Sequence, residues 1–216
     1  MKKFINSINK EKLINYFIVF IVVLLYIFVF MYIYSNFRER KRNELTNGII
    51  DKVDEKIVQN KEEQSGENNT SYSDEALEAT VKYSGINYTV LGKIEIKKIN
   101  IYEPILKENT KEAYDTALVK MSGPYLNLRG NVAIGGHNFM KGNYFIKINQ
   151  LVKDDKITIT DLTGKSIDYY VYDYKVTIID DASYLAQPNN FNDRIITLVT
   201  CTKGGKERYY VKAKAK

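Results

Sequence analysis

Near the end of the sequence, a run of mostly β-branched and apolar residues carries the only cysteine of the chain: Arg194-Ile195-Ile196-Thr197-Leu198-Val199-Thr200-Cys201. Side chains along a strand alternate between two faces, so Ile196 and Leu198 share one face, while Val199 and Cys201 share the other. Such a β-branched alternation is typical of a strand with one buried face. The run therefore predicts a half-buried β-strand that ends at the thiol.

A glycine pair follows the thiol and predicts a tight hairpin. Gly204 and Gly205 can both adopt the positive φ angles that the centre of a two-residue turn requires, and a second strand-like run begins at Arg208. If the glycines form the turn, antiparallel pairing places Cys201 directly opposite Arg208 on the same face. The sequence thus predicts a guanidinium beside the thiol.

The only histidine of the chain, His137, follows a short apolar run and two glycines, Gly135 and Gly136. Glycine lets the backbone pass close to a neighbouring strand, so this segment predicts a strand that delivers an imidazole at its end. A cysteine, a histidine and an arginine at strand ends can supply the nucleophile, the general acid and base, and the oxyanion donor of thiol acyl transfer. The alternative interpretation makes Cys201 a small buried hydrophobic residue, Arg208 a surface charge and the histidine structural.

Two segments resemble the signatures of the sortases, a family of cysteine transpeptidases. Thr197-Leu198-Val199-Thr200-Cys201, followed by Arg208, is similar to the segment that carries the family's cysteine and arginine. Asn131-Val132-Ala133-Ile134-Gly135-Gly136-His137-Asn138 is similar to the family's histidine segment. The similarity covers about residues 90–213. Within the family, the chain resembles class D-like or related sortases of Gram-positive bacteria. One departure is Asp154, which stands where the family usually has glycine.

The resemblance implies an all-β domain, the eight-stranded sortase-type β-barrel with short helices. It implies that Cys201 is the nucleophile, His137 the general acid and base, and Arg208 the donor to the substrate backbone or the oxyanion. Thr200 is implied to contact the substrate, and the loop 180–193 to shape its pocket. The implied substrate is a surface protein with a Leu-Pro-x-Thr-Gly-like sorting motif, cleaved through a Cys thioacyl intermediate. The implied acceptor is an amine of a lipid-linked peptidoglycan precursor or of a pilin lysine.

The N-terminal part contains an apolar run over 13–34 that carries no charged residue. Its length suits a helix of about 30 Å, which spans a bilayer. No small-x-small cleavage site follows the run, which favours an uncleaved anchor over a signal peptide. Basic residues before and after the span are balanced in number, so they do not set the orientation. The resemblance implies a cytoplasmic N-terminus over 1–12 and an extracellular catalytic domain on a single-pass cell-membrane protein.

Between the anchor and the catalytic domain we expect a juxtamembrane segment and flexible linker over 35–80. Its first part has apolar residues at helical spacing and predicts a membrane-proximal helix, whereas 59–74 is mostly Glu, Asn, Ser, Gly and Lys and predicts a disordered tether. The catalytic domain is expected over 81–216, where about eight strands separated by polar turns indicate a sandwich or a closed barrel. The segment 144–151 predicts one or two helical turns.

The charge balance disfavours a nucleic-acid partner. Lys and Arg number 32 against 26 Asp and Glu, a formal net charge of +6, and no aromatic and basic stripe accompanies this mild excess. The acidic residues lack the spacing of a calcium loop, and the chemistry above requires neither a metal nor a cofactor.

Three alternatives to a cell-wall sortase stay open. A pilin-type sortase is disfavoured, because no Asp-Pro-aromatic lid precedes the barrel. A cell-wall cysteine peptidase or hydrolase would use the same side chains, although such folds usually place the cysteine before the histidine, the reverse of the order here. A non-catalytic binding module would use none of these side chains chemically.

Overall fold

The computed structural model describes residues 10–64, 77–83, 85–138 and 144–216. The chain divides into two compact units, Met1–Lys41 and Arg42–Lys216. Most of the predicted cytoplasmic N-terminus and the part of the predicted tether after residue 64 lie outside the described residues.

Helix α1 (Lys10–Gln64) contains the predicted anchor. Every side chain over 13–34 is exposed, so this apolar stretch has no buried face, as expected of a helix surrounded by lipid. Within the described parts of the chain, α1 alone is long and apolar enough to cross a membrane. The helix thus indicates a membrane anchor.

The second half of α1 contains the membrane-proximal helix predicted for the first part of 35–80 and extends it to residue 64, where the sequence predicted the start of a tether. The helix continues without a break to Gln64, and Ile49, Val53 and Ile57 are buried. Their spacing of four residues places them on one helix face, which packs against the barrel in what we call the α1 interface. The barrel side of this interface is apolar and comprises Val81, Tyr88, Val90, Leu106, Val119 and Leu162. Burial of that helix face explains why this segment is ordered.

Nine strands form one sheet in the described residues. They are β1 (Ala79–Tyr83), β2 (Ile86–Ile96), β3 (Ile101–Leu106), β4 (Leu118–Ser122), β5 (Gly130–Gly135), β6 (Lys156–Asp161), β7 (Ser166–Ile178), β8 (Arg194–Thr202) and β9 (Glu207–Ala215). The order β2-β3-β4-β5-β8-β9-β7-β6 closes through pairing of β6 with β2. The predicted eight-stranded closed barrel is confirmed, and β1 extends the sheet by pairing with the start of β2.

Short helical segments connect the strands. Helix α2 (Lys111–Thr116) precedes β4 and is capped by Thr110, whose side chain accepts a hydrogen bond from the amide of Ala113. The helical turns predicted over 144–151 are confirmed by a turn and a 3₁₀ segment, Ile148–Gln150. Further 3₁₀ segments are Lys97–Ile99, Ser183–Leu185 and Lys203–Gly205.

Strand β8 is buried on both faces, so the prediction of a half-buried strand is wrong. Ile196 and Leu198 belong to the barrel core, which matches the predicted alternation. On the opposite face, Val199 packs with Tyr184 and Tyr210. Tyr184 comes from the loop between β7 and β8, and this loop covers the face that the pattern alone left to solvent.

Asp154, the departure from the family's usual glycine, has a φ of 69°. This left-handed conformation favours glycine, and aspartate is one of the residues that adopt it most readily. The substitution therefore retains the turn that leads into β6.

Candidate active site

Strands β5 and β8 carry the histidine and the cysteine to the same end of the barrel. They pair in parallel with Gly135 opposite Val199, and His137 and Cys201 each follow two residues later. The amide of Gly136 donates to the carbonyl of Val199 at 3.1 Å, so the two segments stay side by side beyond the ladder. The register thus brings the predicted nucleophile and the predicted acid and base to one place.

Crowding explains the glycine pair before the histidine. A Cβ at Gly135 would lie 2.8 Å from the hydroxyl oxygen of Tyr114, and a Cβ at Gly136 would lie 2.5 Å from Leu118 Cδ2 and 2.8 Å from Phe145 Cδ2. Such distances are shorter than the closest approach of non-bonded carbon and oxygen atoms, so a side chain at either position would overlap with its neighbours. The close approach predicted from the two glycines is therefore present on both sides of the strand end.

Strand β9 adds the arginine. Cys201 pairs with Arg208, which confirms the register predicted from the glycine pair, and Gly204 and Gly205 have φ angles of 66° and 92°. Nη1 of Arg208 donates to the carbonyl oxygen of Gly205 at 2.9 Å and to that of Glu207 at 3.2 Å. These bonds hold the guanidinium against its own hairpin.

The four predicted site residues line one pocket of about 240 Å³: Thr200, His137, Cys201 and Arg208. Cys201 is partly exposed and contributes to the lining of this pocket. The remaining lining residues are mostly apolar or backbone surface: Tyr114, Met121, Gly135, Gly136 and Val199. A mostly apolar wall next to a few polar groups is typical of a ligand-binding site.

Two hydrogen bonds fix the backbone around the nucleophile. The buried hydroxyl of Thr200 donates to the carbonyl oxygen of Gly136 at 2.6 Å. Nδ2 of Asn138, the residue after the histidine, donates to the carbonyl oxygen of Cys201. Thr200 therefore lines the pocket while its hydroxyl ties β8 to the histidine segment.

Helix α2 contributes two side chains that no sequence pattern selects. Oδ1 of Asp115 lies 3.3 Å from Nε2 of His137, and the ring centroid of Tyr114 lies 5.6 Å from that of the imidazole. Lys111 pairs with Oδ2 of the same aspartate at 2.5 Å. The only signals in the sequence are a capping threonine and a Lys and Asp pair four residues apart, which are equally typical of an ordinary surface helix.

Burial sets the direction of the pKa shifts of His137 and Tyr114, whereas charged partners set that of Asp115. Desolvation lowers the pKa of His137, and Asp115 opposes this shift. Desolvation by itself raises the pKa of Asp115, but the hydrogen bond and charge of Lys111, together with His137, outweigh it and lower that pKa. Desolvation raises the pKa of Tyr114 to about 12. At neutral pH the pocket therefore combines a neutral phenol with an ionised aspartate beside the imidazole.

The loop 180–193, which the resemblance implies shapes the substrate pocket, contributes no residue to the lining of this pocket. It is held by Asn131 at the start of β5. Nδ2 of Asn131 donates to the carbonyl oxygens of Tyr184 at 3.0 Å and Ala186 at 3.1 Å. Its Oδ1 accepts from the hydroxyl of Thr197 at 2.8 Å. Tyr184 in turn stacks on Tyr210, with ring centroids 5.5 Å apart. One buried amide thus connects two barrel strands to the loop.

Among the described residues, no group of three or more His, Cys, Asp and Glu side chains is arranged to hold a metal ion. The polar side chains among the residues that line the pocket are those of Tyr114, His137, Thr200, Cys201 and Arg208.

Comparison with known proteins gives consistent matches. A family model described as "Sortase domain" matches residues 94–216. Sortase A of Bacillus anthracis is 30% identical over 128 residues, 56% of this chain and 58% of that protein, so the chain spans less than two thirds of this relative. A Clostridium perfringens sortase D5 transpeptidase structure has a TM-score of 0.60 and 26% identity, over 80% of this chain and 99% of that chain. Sortase A from Corynebacterium diphtheriae has a TM-score of 0.55 and 25% identity, over 60% and 61%.

Proposed function

Because the chain belongs to the sortase family, we propose that it is a membrane-anchored cysteine transpeptidase whose nucleophile is Cys201. The observation that supports this role most strongly is the convergence of Cys201, His137 and Arg208 on one pocket from three adjacent strand ends. A thiol, an imidazole and a guanidinium together meet the needs of acyl transfer.

The first half-reaction forms a thioester. Thiols are largely protonated at neutral pH, so the Cys201 thiol transfers its proton to His137 as the sulfur attacks the substrate carbonyl carbon. The carbonyl electron pair moves to oxygen and gives a tetrahedral oxyanion. Its collapse breaks the carbon and nitrogen bond, and the imidazolium gives its proton to the departing amine. The enzyme is left acylated on sulfur, with a neutral imidazole.

Arg208 is proposed as the donor that stabilises the oxyanion or holds the substrate backbone. Its Nη1 bonds to the hairpin carbonyls keep the planar guanidinium next to the strand that carries Cys201. A donor fixed before reaction needs no reorganisation as negative charge develops on the oxygen. Thr200 is proposed to contact the substrate with the part of its surface that lines the pocket. Its hydroxyl proton is already donated to the carbonyl oxygen of Gly136, so the hydroxyl is not proposed as a donor to the substrate.

The second half-reaction releases the acyl group to an amine. The amine nitrogen attacks the thioester carbon, and His137 accepts a proton from the amine. The sulfur of Cys201 leaves as a thiolate and recovers the proton from His137. We propose that the acyl donor is a surface protein with a Leu-Pro-x-Thr-Gly-like motif. The acceptor is an amine of a lipid-linked peptidoglycan precursor, or a pilin lysine if the enzyme assembles pili.

The proposed location is the cell membrane of a Gram-positive bacterium. The apolar part of α1 over 13–34 would anchor the chain, with residues 1–12 cytoplasmic and the catalytic domain over 81–216 extracellular. The surface proteins and the wall precursors that such an enzyme joins are both available on that side.

The test is product analysis with the full chain in detergent micelles. A Leu-Pro-x-Thr-Gly peptide is incubated with and without an added short glycine peptide, and the products are separated by mass. The proposal predicts a ligated product with the amine and slow hydrolysis without it, and neither with Cys201→Ala. Hydrolysis at the same rate with and without the amine, and no ligation, would assign the chain to the cysteine peptidases. No cleavage of any peptide in a motif library would favour a binding module.

A further inference from the structure

A carboxylate next to the imidazole lies outside the three residues that the proposed function uses. Oδ1 of Asp115 is 3.3 Å from Nε2 of His137, and the two side chains are 35% and 20% exposed. We propose that Asp115 is a positioning residue for His137. Its carboxylate accepts a hydrogen bond from the Nε2 proton of the imidazole, and Nδ1 is left to exchange protons with the thiol and the substrate. The proposal rests on the acid and base role proposed for His137.

The helix that carries Asp115 is fixed from several sides. Ala113 and Thr116 of α2 are buried. The carbonyl oxygen of Thr116 accepts hydrogen bonds from the hydroxyl of Tyr144 and from that of Thr46 in α1, the latter at 3.4 Å. Asp115 therefore projects from an anchored turn, and its distance to the imidazole is set by the fold.

The carboxylate bridges two cationic groups. Its Oδ1 faces the imidazole, and its Oδ2 pairs with Nζ of Lys111 at 2.5 Å. Lys111 helps to lower the pKa of the aspartate, so at neutral pH its carboxylate is ionised and can accept the Nε2 proton. In a neutral imidazole a proton on Nε2 makes Nδ1 the basic nitrogen, and the hydrogen bond at one nitrogen thereby selects the function of the other.

Several charged or titratable groups surround His137. They are Lys111, Tyr114 and Asp115 from α2, Cys201 from β8 and Arg208 from β9. Burial lowers the pKa of His137, Asp115 raises it and Lys111 lowers it. Removal of the aspartate charge should therefore lower the pKa of the imidazole further, and removal of the Lys111 charge should raise it. These opposite signs distinguish the proposal from a general loss of structure.

An alternative for Asp115 is a purely structural role as the partner of Lys111 on an exposed helix. Such a pair four residues apart contributes only a few tenths of a kcal/mol. A structural role predicts a small change in thermal stability and no change in the titration of His137. Measurements on the imidazole itself decide between the two roles.

His137 is the only histidine, so nitrogen-15 NMR of a histidine-labelled, untagged full chain in micelles reports on it alone. We expect the Nε2-protonated tautomer in the parent. Asp115→Asn should lower the pKa of His137, Lys111→Met should raise it, and Asp115→Glu should restore most of the parent value. Glu112→Gln, a charge removal on the same helix, is the matched control and should leave the pKa unchanged.

Activity gives the second readout. Asp115→Asn should lower kcat/KM by roughly tenfold to hundredfold, the cost of a misplaced catalytic group. The limb of the pH profile that reports His137 should move with its NMR pKa, and Asp115→Glu should recover most of the activity. An unchanged pKa in both Asp115→Asn and Lys111→Met, or a dominant Nδ1-protonated tautomer, would overturn the proposal.

The two proposals fail in different ways. If His137→Ala abolishes turnover while Asp115→Asn has parent kcat/KM, Asp115 has no positioning role and the proposed function stands. If His137→Ala retains parent turnover, the acid and base role fails and the proposal for Asp115 fails with it, whatever the NMR titration shows.

Discussion

Two carboxylates of the same barrel differ in their surroundings and in their charge. Asp115, at the pocket, has Lys111 and His137 as neighbours, and these overcome desolvation and keep its pKa low. Glu103, on β3 near Arg42 of α1, has its Oε2 buried without a hydrogen-bond partner among the described residues. Burial raises the pKa of Glu103 to about 7, against an opposing effect of Arg42.

The difference shows what each region is built for. At the pocket, Lys111 and His137 lower the pKa of Asp115, and two backbone carbonyls hold the guanidinium of Arg208. At the α1 interface, apolar packing of Ile49, Val53 and Ile57 stabilises the contact, and an acid nearby is left with weak compensation. Substitutions in the pocket should therefore change rates with little effect on stability, and substitutions at the α1 interface should do the reverse.

The largest effect is expected at Cys201. Cys201→Ala should abolish cleavage and ligation, because the chain has no other thiol. Its unfolding midpoint should stay close to that of the parent, because the residue is small and only partly buried. Steady-state assays with circular dichroism melts check both points, and turnover comparable to the parent would remove the thioacyl mechanism.

His137→Ala should reduce kcat/KM by roughly 10²-fold to 10⁴-fold, the usual contribution of general acid and base catalysis. No other imidazole can replace it. Chemical rescue by added imidazole gives an internal control, because a variant that had lost its fold would not respond. A kcat/KM near that of the parent would assign proton transfer to another group.

Arg208→Lys should lose on the order of a hundredfold to a thousandfold in kcat, as expected for one oxyanion donor. A lysine keeps the charge but lacks the rigid planar guanidinium, whose Nη1 bonds the hairpin carbonyls and whose other donors stay in a fixed plane. Arg208→Ala should lose at least as much. Equal activity of the lysine variant and the parent would mean that Arg208 acts through its charge alone.

These catalytic groups could be predicted because local rules place them. The glycine pair in the hairpin determines the pairing of Cys201 with Arg208. Crowding around Gly135 and Gly136 leaves no room for a side chain, so the two positions before the histidine require glycine. The closed barrel follows from alternating strands, but closure through β2 and β6 joins segments far apart in sequence. The family resemblance was needed to expect that topology.

The missed features depend on contacts that no local pattern contains. Helix α2 has six residues, which are too few for a periodic signal. No pattern in the sequence therefore distinguished Asp115 from other surface carboxylates. Apolar spacing predicted a helix over part of 35–80, but its partners on the barrel lie far along the chain. Likewise, β8 gains its second buried face from Tyr184 in a loop.

At the α1 interface, Ile49→Ala should lower the free energy of unfolding by about 2 to 5 kcal/mol, the usual cost of such a truncation in a core. Ile49 is fully buried there, whereas Val58, off the buried face, is 54% exposed. Val58→Ala is therefore the matched control and should change stability by less than about 0.5 kcal/mol. Denaturant unfolding measures both, and kcat/KM well below the transition should stay within about twofold of the parent. A large rate loss in Ile49→Ala would show that the two regions are coupled.

The smallest effect concerns Glu103. Its pKa is raised from 4.5 to about 7 in the folded state, so between these values the folded state binds more protons than the unfolded state. The free energy of unfolding should therefore fall as the pH rises through this window. Glu103→Gln removes the ionisation and should be more stable than the parent by roughly 1 to 3 kcal/mol above about pH 8, with the difference vanishing near pH 4. A difference that does not depend on pH would exclude burial of this charge as its cause.

The central claim is that Cys201 carries the acyl group at the pocket, and intact-mass analysis of the full chain tests it most directly. The parent is mixed with a Leu-Pro-x-Thr-Gly peptide without an amine, quenched in acid and digested. The account predicts a mass increase equal to the acyl fragment, on the peptide that contains Cys201, which disappears when an amine is added before the quench. Cleavage of the peptide with no adduct on Cys201 at any quench time, and equal cleavage by Cys201→Ala, would contradict the account.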